Sequence, residues 1–126
     1  MAALVLDAGA LIALDRGDRE LGALLALTAR DGHEVLTSSA CVAQAWRDPA
    51  RQARLTRALG GILEWPLDAL AARRCGLLLA QSGTSDIADA ALALLAHSGD
   101  TVLTSDQDDL SHLLTAADVD ARIRAV

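Results

Sequence analysis

Leu4-Val5-Leu6-Asp7-Ala8-Gly9 decides the fold: a short apolar run stops at a carboxylate, and small residues follow at once. Apolar residues without polar alternation describe a strand buried on both faces, here residues 2–6, and such strands belong to sheets covered by helices. The same order returns in Thr101-Val102-Leu103-Thr104-Ser105-Asp106, again a strand closed by an acid. Glu34–Thr37 and Ile62–Trp65 read as two further short strands, and Ala121–Val126 as a last one. Helices fill the intervals. One starts at Ala10; a second spans Arg19–Arg30, with leucines at 21, 24, 25 and 27. A third covers Ala40–Arg47 behind Ser38 or Ser39, and a fourth runs from Pro49 to about Leu59. Three more follow: Pro66 to Gln81, Asp86 to His97 behind Thr84 or Ser85, and Asp109 to Leu114. Strands alternating with helices predict a three-layer α/β/α sandwich around a mainly parallel sheet, a single domain over residues 1–126.

The 126 residues carry 11 arginines and 17 acids, a net charge of −6. That length suits one core, burying roughly two-thirds of the unfolded surface without help from disulfides or metal. Alanine and leucine dominate the apolar fraction; Phe, Tyr, Lys and Asn are absent, a bias that points to a GC-rich bacterial genome. Ala2–Leu6 is too short and lacks the basic flank of a signal peptide, and no run approaches the ~20 apolar residues of a membrane helix. No membrane association and a cytoplasmic location are expected. Cys41 and Cys75 lack ligand spacing and read as small apolar residues. No GxSxG, P-loop or GxGxxG motif is present. His33, His97 and His112 have no partner at a meaningful spacing.

The acids are placed where an α/β sheet binds its ligands, just beyond the carboxyl ends of strands. Asp7 and Asp106 each follow a strand, so neighbouring strands would bring them to one crevice. Asp86 and Asp89, three apart, share a helix face, and Asp108 and Asp109 lie close behind Asp106. Asp86 is also a favourable partner for a helix dipole, and Asp106–Asp109 would equally make an acidic capping turn. An acid directly after a buried strand, as Asp7 is, has little use in packing. Oxygen-only donors without Cys or His suit Mg²⁺ or Mn²⁺ rather than zinc.

Three blocks, Leu4–Ile12, Ser85–Ala93 and Thr104–Leu110, resemble in order the acidic blocks of the PIN domain. Length and layout are similar to those of the VapC toxins of bacterial toxin–antitoxin pairs. The resemblance implies a metal-dependent endoribonuclease acting on tRNA, rRNA or mRNA, with Mg²⁺ as cofactor and Mn²⁺ as the alternative. It further implies inhibition by a VapB-type antitoxin and a homodimer. Carried over position by position, Asp7, Asp86 and Asp106 match the family's metal-binding catalytic acids, and Asp109 matches a supporting acid. Asp89 stands where the family often has an apolar residue, and the direct ligand is left open between Asp86 and Asp89. The family's glutamate on the helix after the second strand is here Gln44, which supplies an amide oxygen and no charge. Weaker metal affinity, or a preference for Mn²⁺, is the expected consequence.

Arg47, Arg51, Arg54 and Arg57 would form a basic stripe on one helix, and arginine forks suit phosphate oxygens. A solvated helix face explains the same spacing. Arg47, Arg51, Arg54 and Gln44 are the expected substrate contacts, together with Ser105 beside the acid Asp106; only Trp46 and Trp65 are available for stacking on bases. A noncatalytic PIN-like module that binds RNA or protein is the rival reading, motivated by Gln44. A phosphatase using Asp7 is disfavoured, since position 9 is Gly9 and the chain has no lysine.

Overall fold

β1 (Leu4–Leu6) lies at the centre of a five-stranded sheet because it has no polar side chain to give to water, and all three of its residues are buried. β2 (Val35–Ser38) pairs with it on one side and β4 (Thr101–Thr104) on the other, both parallel. β3 (Leu63–Trp65) and β5 (Arg122–Ala125) form the edges, giving the order β3-β2-β1-β4-β5, parallel throughout. The edge strands show it in their sequences: all of β3 is exposed, and β5 interposes Arg122 and Arg124 around Ile123. The computed structural model describes residues 2–126.

Among the described residues seven helices flank the sheet: α1 (Ala8–Asp15), α2 (Arg19–Arg30), α3 (Ser39–Ala45), α4 (Ala53–Leu59), α5 (Ala69–Ser82), α6 (Ile87–Leu95) and α7 (Gln107–Ala116). The expected sandwich is therefore observed. Small side chains let the helices approach closely: in α6 every residue from Ala88 to Ala93 is buried, including Asp89. Without aromatic rings, the core is built from leucines such as Leu6, Leu11, Leu55, Leu92, Leu103, Leu110 and Leu113. Side-chain caps start five helices, with Asp7, Asp18, Ser38, Asp68 and Asp86 each accepting from a backbone N–H of the first turn. The α6 cap is thus Asp86, not Thr84 or Ser85. Thr84 Oγ1 instead pairs with Ser82 Oγ at 2.8 Å. Both cysteines are buried and free, as expected.

A further expectation fails. The segment from Pro49 to Leu59 is not one helix: a single 3₁₀ turn at Pro49–Arg51 is followed by a break at Gln52 before α4. Gln52 is buried, and its amide oxygen accepts from Arg47 N (2.7 Å) and Asp48 N (2.9 Å). Its amide nitrogen donates to Ala45 O at 2.8 Å and to Asp15 Oδ2 at 3.4 Å. These tertiary bonds hold the chain bent where local propensity alone would continue the helix. The four arginines therefore do not share one helix face.

Candidate metal centre

The strand order reverses between β1 and β4, because β1 leads outward to β2 while the chain returns to the other side for β4. A crevice beyond the carboxyl ends of these two strands is the place where such sheets bind ligands. Asp7, Ser105 and Asp106 lie there by virtue of following β1 and β4 directly. The first turns of α6 and α7 deliver Asp89 and Asp109 to the same end.

Asp7 is 3% exposed and fully engaged. Its Oδ1 accepts from Ala10 N at 2.8 Å; its Oδ2 accepts from Thr104 Oγ1 at 2.6 Å and Ser105 N at 3.0 Å. One carboxylate thereby ties β1, α1 and β4 together. Thr104 Oγ1 in turn accepts from Asp106 N at 2.8 Å, which fixes the backbone of the next acid. The position after Asp7 and Ala8 has to be glycine: a Cβ on Gly9 would collide with the Ser105 hydroxyl and fall 2.5 Å from Ser105 Cβ.

Asp89, Asp106 and Asp109 each offer one carboxylate oxygen, all within 4.8 Å of one another. Asp89 is the buried member, and its carboxyl is pushed up to about 7, chiefly by burial and then by the charges of Asp86, Asp106, Asp7 and Asp109. The Asp109 carboxyl is also raised, first through its hydrogen bond with Asp106 and then through that residue's charge. None of these five acids forms an ion pair with an arginine or histidine among the described residues. Burial, then the charges of Asp7 and Asp89, push the Cys41 thiol up to about 12, which keeps it protonated.

The donor set fits a hard cation. Three oxygens at this separation need to close only a little, since ligands at about 2.0–2.1 Å from Mg²⁺ stand ~3 Å apart when adjacent and ~4.2 Å when opposite. All three residues of this group are among the five acids expected from the sequence. Asp106 and Asp109 are in the triangle with Asp89, whereas Asp7 and Asp86 lie outside it. Asp86 Oδ1 accepts from Asp89 N at 3.0 Å, so Asp86 caps the helix that carries Asp89.

The expected substrate residues are spread around the elbow after α3. Gln44 is exposed on α3, three residues beyond Cys41. Arg47 donates to Ala43 O (2.9 Å) and Trp46 O (2.7 Å). Arg51 lies 3.7 Å from Asp48, and Arg54 rises from α4. Trp65 is 52% exposed on the β3 edge. The linking role of Thr104 escapes sequence reading; its only signal is a hydroxyl at the last position of an apolar strand, between two acids that share a crevice.

No protein-family model matches the chain, and no curated protein matches its sequence. Its fold is similar to that of a chain in the crystal structure of VapBC2 from Rickettsia felis bound to a DNA fragment from their promoter. The TM-score is 0.67 over 97% of this chain and 98% of that one, at 14% identity. The likeness is one of fold, and the fold is PIN-like. No helix among the described residues is long and apolar enough to cross a membrane.

Proposed function

We propose that this chain is a Mg²⁺-dependent endoribonuclease of the VapC kind, hydrolysing RNA phosphodiester bonds and held inactive by a VapB-type antitoxin. The observation that carries this reading is the convergence of Asp89, Asp106 and Asp109 oxygens at the β1/β4 crevice of a PIN-like fold, with no ion pair to balance them among the described residues. Likeness to a chain of a VapBC2 complex supports the antitoxin as partner. The rival, an inactive binding module, has only Gln44 in its favour.

Asp89, Asp106 and Asp109 would hold the ion, and Asp7 and Asp86 would act through its waters. When bound, a divalent ion supplies positive charge against the phosphate and makes a water more acidic. Asp7 keeps Thr104 and Ser105 in place, and Thr104 keeps Asp106 aimed at the crevice. Ser105, exposed at the rim, presents its hydroxyl to a phosphate oxygen. Arg47, Arg51 and Arg54, with Gln44, would contact the RNA backbone, and a homodimer would present two such crevices.

The test is incubation of antitoxin-free protein with total bacterial RNA in Mg²⁺ or Mn²⁺, mapping new RNA ends, beside EDTA controls and the Asp89→Asn and Asp106→Asn variants. Discrete cuts lost in EDTA and reduced at least 100-fold in both variants are expected. Cuts that persist in EDTA refute the metal-dependent reading. A folded wild type that binds Mn²⁺ in calorimetry neither before nor after RNA addition, and cuts nothing, returns the chain to the binding-module reading.

A further inference from the structure

Of the seven large apolar side chains exposed among the described residues, four belong to β3 and the helix after it: Leu63, Trp65, Leu70 and Leu77. Leu63 and Trp65 are two apart on an edge strand and so share one of its faces. Leu70 and Leu77 are two turns apart on α5 and share its outer face, 67% and 73% exposed. The other face of α5 packs inward through Cys75 and Leu78. A helix apolar on two sides is suited to being covered on both. Strand and helix meet at a cavity of about 280 Å³, to which Trp65 and Leu70 both contribute. Its polar lining is Ser38, Asp68 and Arg74, and the other nine residues around it are apolar. A contiguous exposed patch of this kind marks an interaction surface.

The charges on the patch decide what covers it. Asp68 starts α5, its Oδ1 accepting from Ala71 N at 2.8 Å. Arg73 and Arg74 follow on the same helix, both exposed. None of the three is in an ion pair among the described residues. An acidic partner would meet Asp68, and a basic one the arginines. A second copy turned about a two-fold meets each charge with its opposite. That two-fold crosses α5 midway between Asp68 and Arg73, at Leu70. There the two Leu70 side chains meet, the helices run antiparallel with opposed dipoles, and Leu77 comes to the partner's Trp65.

We propose that β3 and α5 form the face on which two copies of this chain associate, antiparallel along α5 with Leu70 at the two-fold. The proposal gives the homodimer named above its surface and rests on that part of the reading, not on RNA cleavage. Sedimentation velocity of the full chain at micromolar concentration, in EDTA and without RNA, tests it. Wild type should run as a dimer. Leu70→Arg and Leu77→Glu, both at exposed positions, should each weaken the dimer at least ~30-fold, and Leu27→Arg on α2 should leave it intact. The variants Arg73→Glu/Arg74→Glu and Asp68→Lys should each be monomeric alone. Mixing the two should restore a dimer, because opposite charges then face each other at both contacts. Far-UV circular dichroism checks that each variant is folded. A monomeric wild type overturns the face and leaves it to a partner of another sequence. A dimer that survives Leu70→Arg and both charge variants overturns it too, as does a mixture no more associated than its components. Cleavage in Mn²⁺ is scored separately. A wild-type monomer that cuts RNA overturns this face alone, whereas a dimer with the expected variant pattern that cuts nothing overturns the ribonuclease reading alone.

Discussion

Replacing Asp89 by asparagine should make the metal-free protein more stable, although it removes a buried group. The Asp89 carboxyl moves from the ordinary 3.8 to about 7, with burial as the main cause and four neighbouring carboxylates behind it. Roughly three pH units at ~1.4 kcal/mol each set a ceiling of about 4 kcal/mol. Asp109 faces solvent, which screens part of the repulsion, and about 2 kcal/mol is the working figure. The sign follows from proton counting. Between about pH 4 and pH 7 the folded state retains a proton that the unfolded chain has released, so stability falls as pH rises through that window. Asparagine carries no charge at any pH. Its advantage should therefore be about 2 kcal/mol at pH 8 and a few tenths at pH 4. Urea unfolding of both proteins in EDTA at the two pH values measures it. Adding Mn²⁺ at about 100 times its dissociation constant should then stabilise wild type by ~2.7 kcal/mol and the variant far less, reversing their order. A variant no more stable than wild type at pH 8, or equally favoured at both pH values, refutes the account of a charge-strained site.

Gly9→Ala should destabilise the fold by about 1–3 kcal/mol and reduce cleavage, because the new methyl collides with Ser105 at the rim; thermal melting and RNA-end mapping read the two effects. Gln44→Glu should tighten Mn²⁺ binding about tenfold, near 1.4 kcal/mol, if this helix position faces the ion's waters; calorimetry decides, and an unchanged affinity places Gln44 outside the centre. Gln52→Ala should lower stability by about 2–4 kcal/mol, since the loss leaves two backbone N–H groups and the Ala45 carbonyl without their partner. Denaturant midpoints at constant slope test that value.

The sheet was legible because its inner strands are uninterrupted apolar runs punctuated by acids and small residues, a pattern that admits few other readings. Their ends also placed Asp7 and Asp106 at one end of the sheet, while Asp86 and Asp89 were read only as a pair on one helix face. What spacing does not encode is which carboxylates converge. Asp86 and Asp89 are equivalent as a helical pair, but Asp86 is consumed as the N-cap, and that leaves Asp89 one turn inside, pointing to the crevice. The elbow at Gln52 was hidden for another reason. Ala50-Arg51-Gln52-Ala53-Arg54-Leu55 is good helix-forming sequence, and only bonds from residues 15, 45, 47 and 48 to one amide overrule it.

The five acids divide by what holds them. Asp7 accepts from the chain's own donors at both oxygens and Asp86 at Oδ1, so the position of each is held without any ion. Asp89, Asp106 and Asp109 each turn a carboxylate oxygen toward one another, and the carboxyls of Asp89 and Asp109 are raised. Folding alone does not favour that arrangement; a sequence selected for stability would place an amide or an arginine there. The frame built on Asp7 and Thr104 is what keeps the repelling triangle assembled, and repulsion that the frame withstands becomes affinity for a divalent cation. Position and charge are thus supplied by different aspartates. Substitutions at the frame should move stability and geometry together, while substitutions in the triangle should trade stability against metal.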